Sequence, residues 1–458
     1  MIDIEQLQDR FRISYFGEDG QVKFKDIAIP KTEKYKWELA GNERKDPIFT
    51  TWDDKPVKKV RTNYLSKFRT EEFFCSLGED VMEEIYKFNQ PDVWFCDIEV
   101  EVGEEFPDPS QAATPVLAVA LVNSSGQVFV FGLKPLSSDQ ILRLQSNMQK
   151  YFEKFDVEII FQYYHFESEA ELLYSLFNKW FKKIPLLTGW NFVGFDWKYL
   201  INRMKRLGLD PSNCSLNGQL KGEDCFPMHK VVVDYLELYK KWDRVIKIKE
   251  NNKLETVAQA ALGVSKIKYN GTFMDLYNTD FETYIYYNAV DTFLVYLLDK
   301  KLKTMQTFLM LGNVTRVEAQ KAFSPIWMTE AIVTREFYHR KKIVAEIKKA
   351  TKSGAFEGAY VKQPIPGLHE WIATFDFASL YPSVMRQWNI SPEAYKGKNV
   401  DLKPGWIKTA SGAIFDNTQD SIMRNVLTNF YGKRKESKNK SFELEKEIDY
   451  LQKILLQK

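Results

Sequence analysis

Cysteine is scarce in this sequence, and its four residues, Cys75, Cys96, Cys214 and Cys225, show no C-x-x-C spacing, which excludes a disulfide framework and a zinc site built on thiolates. No stretch comes near the roughly 18 consecutive apolar residues of a membrane span. The opening MIDIEQLQDRFRISY lacks the basic-then-apolar build of a signal peptide. A soluble, intracellular chain in a reducing cytoplasm, without a membrane partner, is the expectation. An excess of one charge is also missing: the net charge is +2, so an argument for nucleic acid must come from local clusters. Two stand out, KPVKKVRTNYLSKFR at 55–69 and GKRKESKNK at 432–440. The first is equally a solvated face, while the second gains from the motif that precedes it. There are no internal repeats and no low-complexity tracts.

What is present is a globular composition, 44% hydrophobic and 15% aromatic, in a chain of 458 residues, long enough to outgrow a single core. Residues 1–91 mix short strand-like runs, RFRISYF and QVKFKDIAI, with charged turns. From 92 to 303 strands alternate with helices, the pattern of a mixed α/β domain. VWFCDIEV, PVLAVALVN and QVFVFGL read as strands, the last two joined as a hairpin across Ser124-Ser125-Gly126. SEAELLYSLFNKWFKKI reads as a helix with Leu172, Leu173, Leu176, Phe177 and Trp180 on one stripe. LLTGWN is a buried strand, and DWKYLINRMKRLG a helix closed by Gly208. Further on, WIATFDF reads as a strand followed by a turn and helix, and FELEKEIDYLQKILLQK as a helix with Leu444, Ile448, Leu451 and Leu455 on one face.

Strand alternation in VWFCDIEV projects Asp97 and Glu99 together, with Trp94, Cys96, Ile98 and Val100 on the other face. Two like charges that close call for a cation between them, although D-x-E alone more often marks a solvent-facing edge of an antiparallel sheet. Asp196 in Asn191-Phe192-Val193-Gly194-Phe195-Asp196 stands where a buried strand gives way to a helix; as a lone residue it could simply cap that helix. Thr279-x-x-Glu282 reads as a capping box, and the helix it starts would carry Tyr287 and Asp291 four residues apart on one face. At 376–383 the run Asp376-Phe377-Ala378-Ser379-Leu380-Tyr381-Pro382-Ser383 sets a carboxylate before a tight turn whose N–H groups suit a triphosphate. Arg434 and Lys438 lie four apart on a predicted helix, a fork and a point charge suited to phosphate oxygens.

D-I-E, N-x-x-x-F-D and Y-x-x-x-D, in this order, resemble the three exonuclease motifs of DnaQ-type proofreading domains, and D-x-x-S-L-Y-P-S resembles motif A of family B DNA polymerases. The match is closest to polymerases of T-even-type phages, through GWN, FPDPSQA, LELYKKW and RQWNISPEAY. The resemblance implies an α/β and α+β multidomain fold. Its parts would be an N-terminal mixed domain of 1–91 with 304–348, an RNase H-like (DnaQ-type) 3′→5′ exonuclease of 92–303, part of the palm at 349–420 and the start of the fingers at 421–458. It implies two-metal sites holding Mg²⁺ or Mn²⁺ through Asp97, Glu99, Asp196 and Asp291, with Tyr287 orienting the attacking water, and through Asp376 with Phe377. Ser379, Leu380, Tyr381, Arg434 and Lys438 would bind the incoming dNTP, with Tyr381 excluding a 2′-hydroxyl. Asn191, Phe195, Gly358 and Ala359 would touch DNA, either primer-template or single-stranded. Phe356 stands where the family's Y-x-G-(G/A) loop has tyrosine.

Neither K-x-x-x-N-S-x-Y-G nor Y-x-D-T-D occurs, and Tyr277-Asn278-Thr279-Asp280 lacks the first aspartate of the latter. The expectation is one subunit of a split polymerase in the cytoplasm of an infected bacterial host. A second chain would bring the remaining fingers, palm and thumb, and the contact to a sliding clamp. The alternatives are a stand-alone exonuclease and a translational repressor that binds nucleic acid without catalysis.

Overall fold

The computed structural model describes residues 1–41, 45–103, 105–242, 251–269, 271–343, 360–398 and 400–456. The chain forms two compact units, Met1–Pro30 with Leu77–Thr329, and Lys31–Ser76 with Glu330–Lys458.

The first unit is organised by a six-stranded sheet whose order from edge to edge is Ile160–His165, Gln127–Gly132, Val116–Asn123, Val93–Val100, Leu186–Gly189, Val231–Asp234. The middle strands pair antiparallel, with the predicted hairpin turning at Gly126, and the outer pairs are parallel. VLAVALVN is buried along its whole length, as a strand covered on both faces must be. One cover is the 22-residue helix Phe281–Leu302, which packs on Val93–Val100 and Val116–Asn123. The opposite face carries the main core, in which Cys96, Ile98 and Val100 meet Leu172, Leu173, Leu176 and Phe177. That apolar stripe is the predicted one, but its helix is α-helical only over Glu169–Ser175 and continues as a π-helical turn, Leu176–Phe181. Met1–Pro30 supplies a three-stranded antiparallel sheet, Asp3–Gln6, Arg10–Phe16 and Val22–Ala28.

In the second unit Tyr35–Leu39 pairs with Val57–Arg61, and the 55–69 cluster proves to be an ion-paired face: Lys55 meets Asp53, Lys58 Glu38, Lys59 Asp46, Lys67 Glu330 and Arg69 Glu33. WIATFDF does not form the expected strand. Residues 372–377 have no strand partner among the described residues, and Trp371, Phe375 and Phe377 are exposed, because an isolated strand has nowhere to place its hydrogen bonds or its apolar face. The turn and helix behind it do form, with Ser379 in the left-handed region at φ 52° before the helix Leu380–Gln387.

The long helix Ile422–Leu456 is anchored at its start. The Ile422 N–H donates to Glu393 at 2.7 Å, Arg424 N–H to the Ser421 hydroxyl at 3.2 Å, and the Arg386 guanidinium lies 5.0 Å from the Tyr431 ring centre. Residues 433–455 are exposed throughout, including Leu444, Ile448, Leu451 and Leu455. No helix among the described residues is long and apolar enough to cross a membrane.

Buried at 2% exposure, Arg69 packs its guanidinium 4.1 Å from the Tyr35 ring centre, beside Glu72, whose carboxylate accepts the Trp37 indole N–H at 2.9 Å. Burial lifts Glu72 from 4.5 to about 7 despite these partners. The folded chain therefore holds a proton between those values that the unfolded chain releases, and this contribution to stability is lost as pH rises through about 7. Glu72→Gln keeps the acceptor for Trp37 and cannot ionise. Its midpoint in urea, relative to the unchanged chain, should improve from pH 5 to about pH 7 and level off above that; a gap that stays constant from pH 5 to pH 7 contradicts the assignment.

Candidate active site

Because Cys96, Ile98 and Val100 enter the core, the alternation of Val93–Val100 leaves Asp97 and Glu99 on the sheet face covered by Phe281–Leu302. Asn288 on that helix donates its amide to the Asp97 carboxylate at 2.9 Å. The neighbouring strand comes close: a Cβ on Gly189 would stand 2.2 Å from the Cys96 carbonyl oxygen, so only glycine fits beside the residue that precedes Asp97.

Asp196 does not cap the helix it precedes. It lies in a π-helical turn, Val193–Trp197, is 4% exposed, and accepts the Ile98 N–H at 3.0 Å, which ties it to the strand of Asp97 and Glu99. Capping falls to Asp234, at the end of Val231–Asp234, which accepts from Val193 at 3.0 Å and Gly194 at 3.4 Å. The Phe281–Leu302 helix is likewise capped differently from expectation. Asp280 accepts from the Thr283 N–H, Thr279 ends the preceding helix, and Glu282 forms a forked pair with Arg143 at 2.7 and 3.0 Å. The shift of one residue arises because an aspartate is the better N-cap acceptor. Tyr287 and Asp291 still share the helix face that meets Asp97 and Glu99.

Asp97, Glu99, Asp196 and Asp291 are close enough to raise one another. Burial first, then Asp291, lifts Asp97 to about 7; burial and then Asp97 lift Glu99 and Asp196 well above the usual carboxylate range. Burial also raises Asp291, against the pull of Lys266, whose ammonium bonds it and lies 3.3 Å from the Tyr287 hydroxyl. For Lys266 burial opposes the charge, but Asp291, Tyr287 and Asp97 outweigh it and its pKa rises. The Tyr287 phenol is raised by burial and by Asp291.

Among the described residues no three His, Cys, Asp or Glu side chains converge as a metal-holding set. The chemistry of the donors nevertheless fits a hard cation. They are carboxylates, they raise one another's pKa, and the buried Asp291 Oδ1 and Asn288 Oδ1 lack any hydrogen-bond partner. Asn191 (φ 60°) is exposed, and Phe195 packs 5.3 Å from Phe106, itself 78% exposed. Gly358 and Ala359 lie outside the described residues.

Lys266, Asn288, Asp234 and Phe106 were not singled out from sequence. Asn288 could have been, since it stands three residues before Asp291 on one helix face, and Asp234 ends a buried strand. Lys266 follows no motif.

In the second unit Asp376, Phe377, Leu380 and Tyr381 are exposed, as are Arg434 and Lys438 one turn apart on Ile422–Leu456. No hydrogen bond or ion pair joins Asp376 to Arg434 or Lys438 among the described residues. The Ser383 hydroxyl donates to the Ala378 carbonyl at 3.0 Å and closes the turn.

A family model described as DNA polymerase family B, exonuclease domain, matches residues 54–257, and one described as DNA polymerase family B matches 327–458. The DNA-directed DNA polymerase of Escherichia phage RB69 is 26% identical over 95% of the chain and 53% of its own length. That of Enterobacteria phage T4 is 28% identical over 99% of the chain and 55% of its own length. DNA polymerase 1 of Sulfolobus acidocaldarius is 28% identical over 70% of the chain and 37% of its own length. The chain thus spans about half the length of the phage relatives.

Mutual repulsion at this site opposes folding, so Asp97→Asn, which keeps an oxygen for Asn288, should raise the melting temperature in EDTA by about 2–4 °C. A lower melting temperature would mean that the carboxylates are stabilised as they stand.

Proposed function

The chain belongs to DNA polymerase family B, and from that premise we propose that its first unit is a metal-dependent 3′→5′ proofreading exonuclease and its second carries half of a polymerase site. The observation that carries the first half is the cluster formed by Asp97 and Glu99 on one sheet face, Asp196 from the π-helical turn and Asp291 from the covering helix, with Tyr287 and Lys266 beside it. The mixed sheet under Phe281–Leu302 is consistent with an RNase H-like fold. The division into 1–91 with 304–348, 92–303, 349–420 and 421–458 belongs to the same reading.

Asp97, Glu99, Asp196 and Asp291 would hold Mg²⁺ or Mn²⁺, which when bound acidify a water and offset charge on the leaving 3′ oxygen. The protein does the rest. Asp196, fixed by the Ile98 N–H, and Asp97, fixed by Asn288, present their remaining oxygens without rearrangement. Tyr287, close to Asp291 and Lys266, orients the attacking water through its hydroxyl. Lys266 places a positive charge where a phosphate would otherwise face only carboxylates. Phe106, exposed and packed on the half-buried Phe195, offers ring surface for the bases of a single strand, with Asn191 in the same loop as Phe195.

For the second half, Asp376 with Phe377 would hold metal, and Ser379, Leu380, Tyr381, Arg434 and Lys438 the triphosphate and sugar of a dNTP. The left-handed Ser379 and the turn closed by Ser383 support that reading. Y-x-D-T-D does not occur in these 458 residues, and among the described residues the exposed 371–381 segment and the helix face at Leu444, Ile448, Leu451 and Leu455 have no apolar cover. On this reading the partner carboxylate and the cover come from the remaining palm, fingers and thumb, on a second chain that also makes the sliding-clamp contact.

With Mg²⁺, the chain should degrade single-stranded DNA from its 3′ end; Asp97→Ala or Asp291→Ala should slow this about a hundredfold or more, and Tyr287→Phe distinctly less. Near-full activity in either alanine variant, measured on a 5′-labelled oligonucleotide, sinks the exonuclease assignment. Primer extension should require mixing with a complementary chain and vanish in Asp376→Ala while hydrolysis persists. Templated synthesis by this chain alone refutes the split site.

A further inference from the structure

On the sheet face opposite the carboxylates, Trp94 leaves the strand that carries Asp97 and Glu99 and, with Trp180, lines a cavity of about 790 Å³ wholly within the first unit. The two indoles are half-buried, their ring centres 6.1 Å apart, and both rest on Phe129, at 5.3 and 5.0 Å. Three exposed lysines, Lys179, Lys182 and Lys183, share the lining, and none is paired with an acidic side chain among the described residues. The only carboxylate of the lining, Asp92, is already engaged on both oxygens, by the Trp94 indole and the Ser124 hydroxyl, each at 2.7 Å. The lysine-bearing turn is held in place. Lys230, 4% exposed, donates to the carbonyls of Phe181, Lys182 and Ile184, the last two at 2.6 and 3.0 Å.

Flat aromatic surface beside unpaired ammonium groups, in a cavity of ligand size, matches one chemistry: an aromatic base joined to phosphate. We propose that this pocket is a second nucleotide-binding subsite, with Trp94 and Trp180 taking a base and Lys179, Lys182 and Lys183 the phosphates. It is separate from the carboxylate cluster because strand alternation sends Trp94 and Asp97 to opposite faces. It rests on the cavity and its lining, independently of the exonuclease assignment.

The test uses the full chain in EDTA, so that no strand is hydrolysed, with a 4-thiothymidine oligodeoxynucleotide, a 4-thiouridine oligoribonucleotide and a 4-thiouridine monophosphate as photo-cross-linking probes. Cross-links mapped by mass spectrometry should fall on the segment 179–184. The Lys182→Glu, Lys183→Glu double variant alters only exposed side chains, so it should fold. It should bind the strand probe about tenfold or more weakly and flatten the dependence of log affinity on log salt by about 1.4. Trp180→Leu should remove the cross-link while the lysine-dependent salt slope remains. Capture of the monophosphate alone would identify a free nucleotide as the occupant; capture of either oligonucleotide would identify a strand. If no probe cross-links within 179–184, or if the double variant binds and responds to salt as the parent does, the subsite does not exist. Hydrolysis in Mg²⁺, assayed separately, reports on the exonuclease reading whatever this result.

Discussion

Like charges held together in a partly buried site repel one another, and the first unit is arranged around bearing that repulsion among Asp97, Glu99, Asp196 and Asp291. Left alone, such groups take up protons, which is the direction in which all four are shifted. Three devices hold them in position instead. Asn288 and the Ile98 N–H donate to Asp97 and Asp196, and Lys266 brings a counter-charge to Asp291. The scaffold must also be rigid enough that repulsion cannot relax by movement. The fully buried Val116–Asn123 strand and the covering Phe281–Leu302 helix supply that rigidity. Gly189, where no side chain fits against the Cys96 carbonyl, keeps the adjoining strand close. The site is therefore strained by charge and braced by packing, the arrangement expected where stability has been exchanged for reactivity.

Much of this was legible in the sequence because it follows from periodicity. Alternation in VWFCDIEV placed Asp97 and Glu99 on one face, and helical spacing placed Tyr287 with Asp291. The hairpin at Gly126 and the apolar stripe from Leu172 to Phe177 follow from local patterning in the same way. What was not legible depends on partners distant in sequence. The motif places Asp196 among the carboxylates, but its local sequence also allows a cap, and its acceptor role for the Ile98 N–H exists only once the fold brings the two segments together. Lys266, in a loop-like stretch without a motif, reaches Asp291 and Tyr287 across the fold. A one-residue error at Asp280 has a smaller cause, the competition between two acceptors for the same helix start.

The second unit shows the converse failure. WIATFDF has strand composition, yet propensity measures how a segment fits a sheet, and among the described residues no sheet receives it. The Ile422–Leu456 helix forms regardless, because its hydrogen bonds are internal and its first turn is secured by Ser421 and Glu393. A strand needs a neighbour to exist and a helix needs one only to be covered. That difference explains why the same stretch of chain yields an exposed motif without strand pairing beside a well-formed helix with an exposed apolar face.

The two faces of Val93–Val100 make a final point about economy of position. A strand that fixes clustered carboxylates must itself be fixed, and the residues that do this lie on its reverse face, where Cys96, Ile98 and Val100 join the core. Trp94, on that face but at the strand's start, is only half-buried and so remains available to a ligand. Whatever stacks on it meets a strand whose position is set by the packing that also sets Asp97 three residues on. Movement of one face without the other would require the core between them to repack, which interiors of this density resist. The geometry of the carboxylates and the shape of the basic, indole-lined cavity are therefore constrained by the same set of contacts.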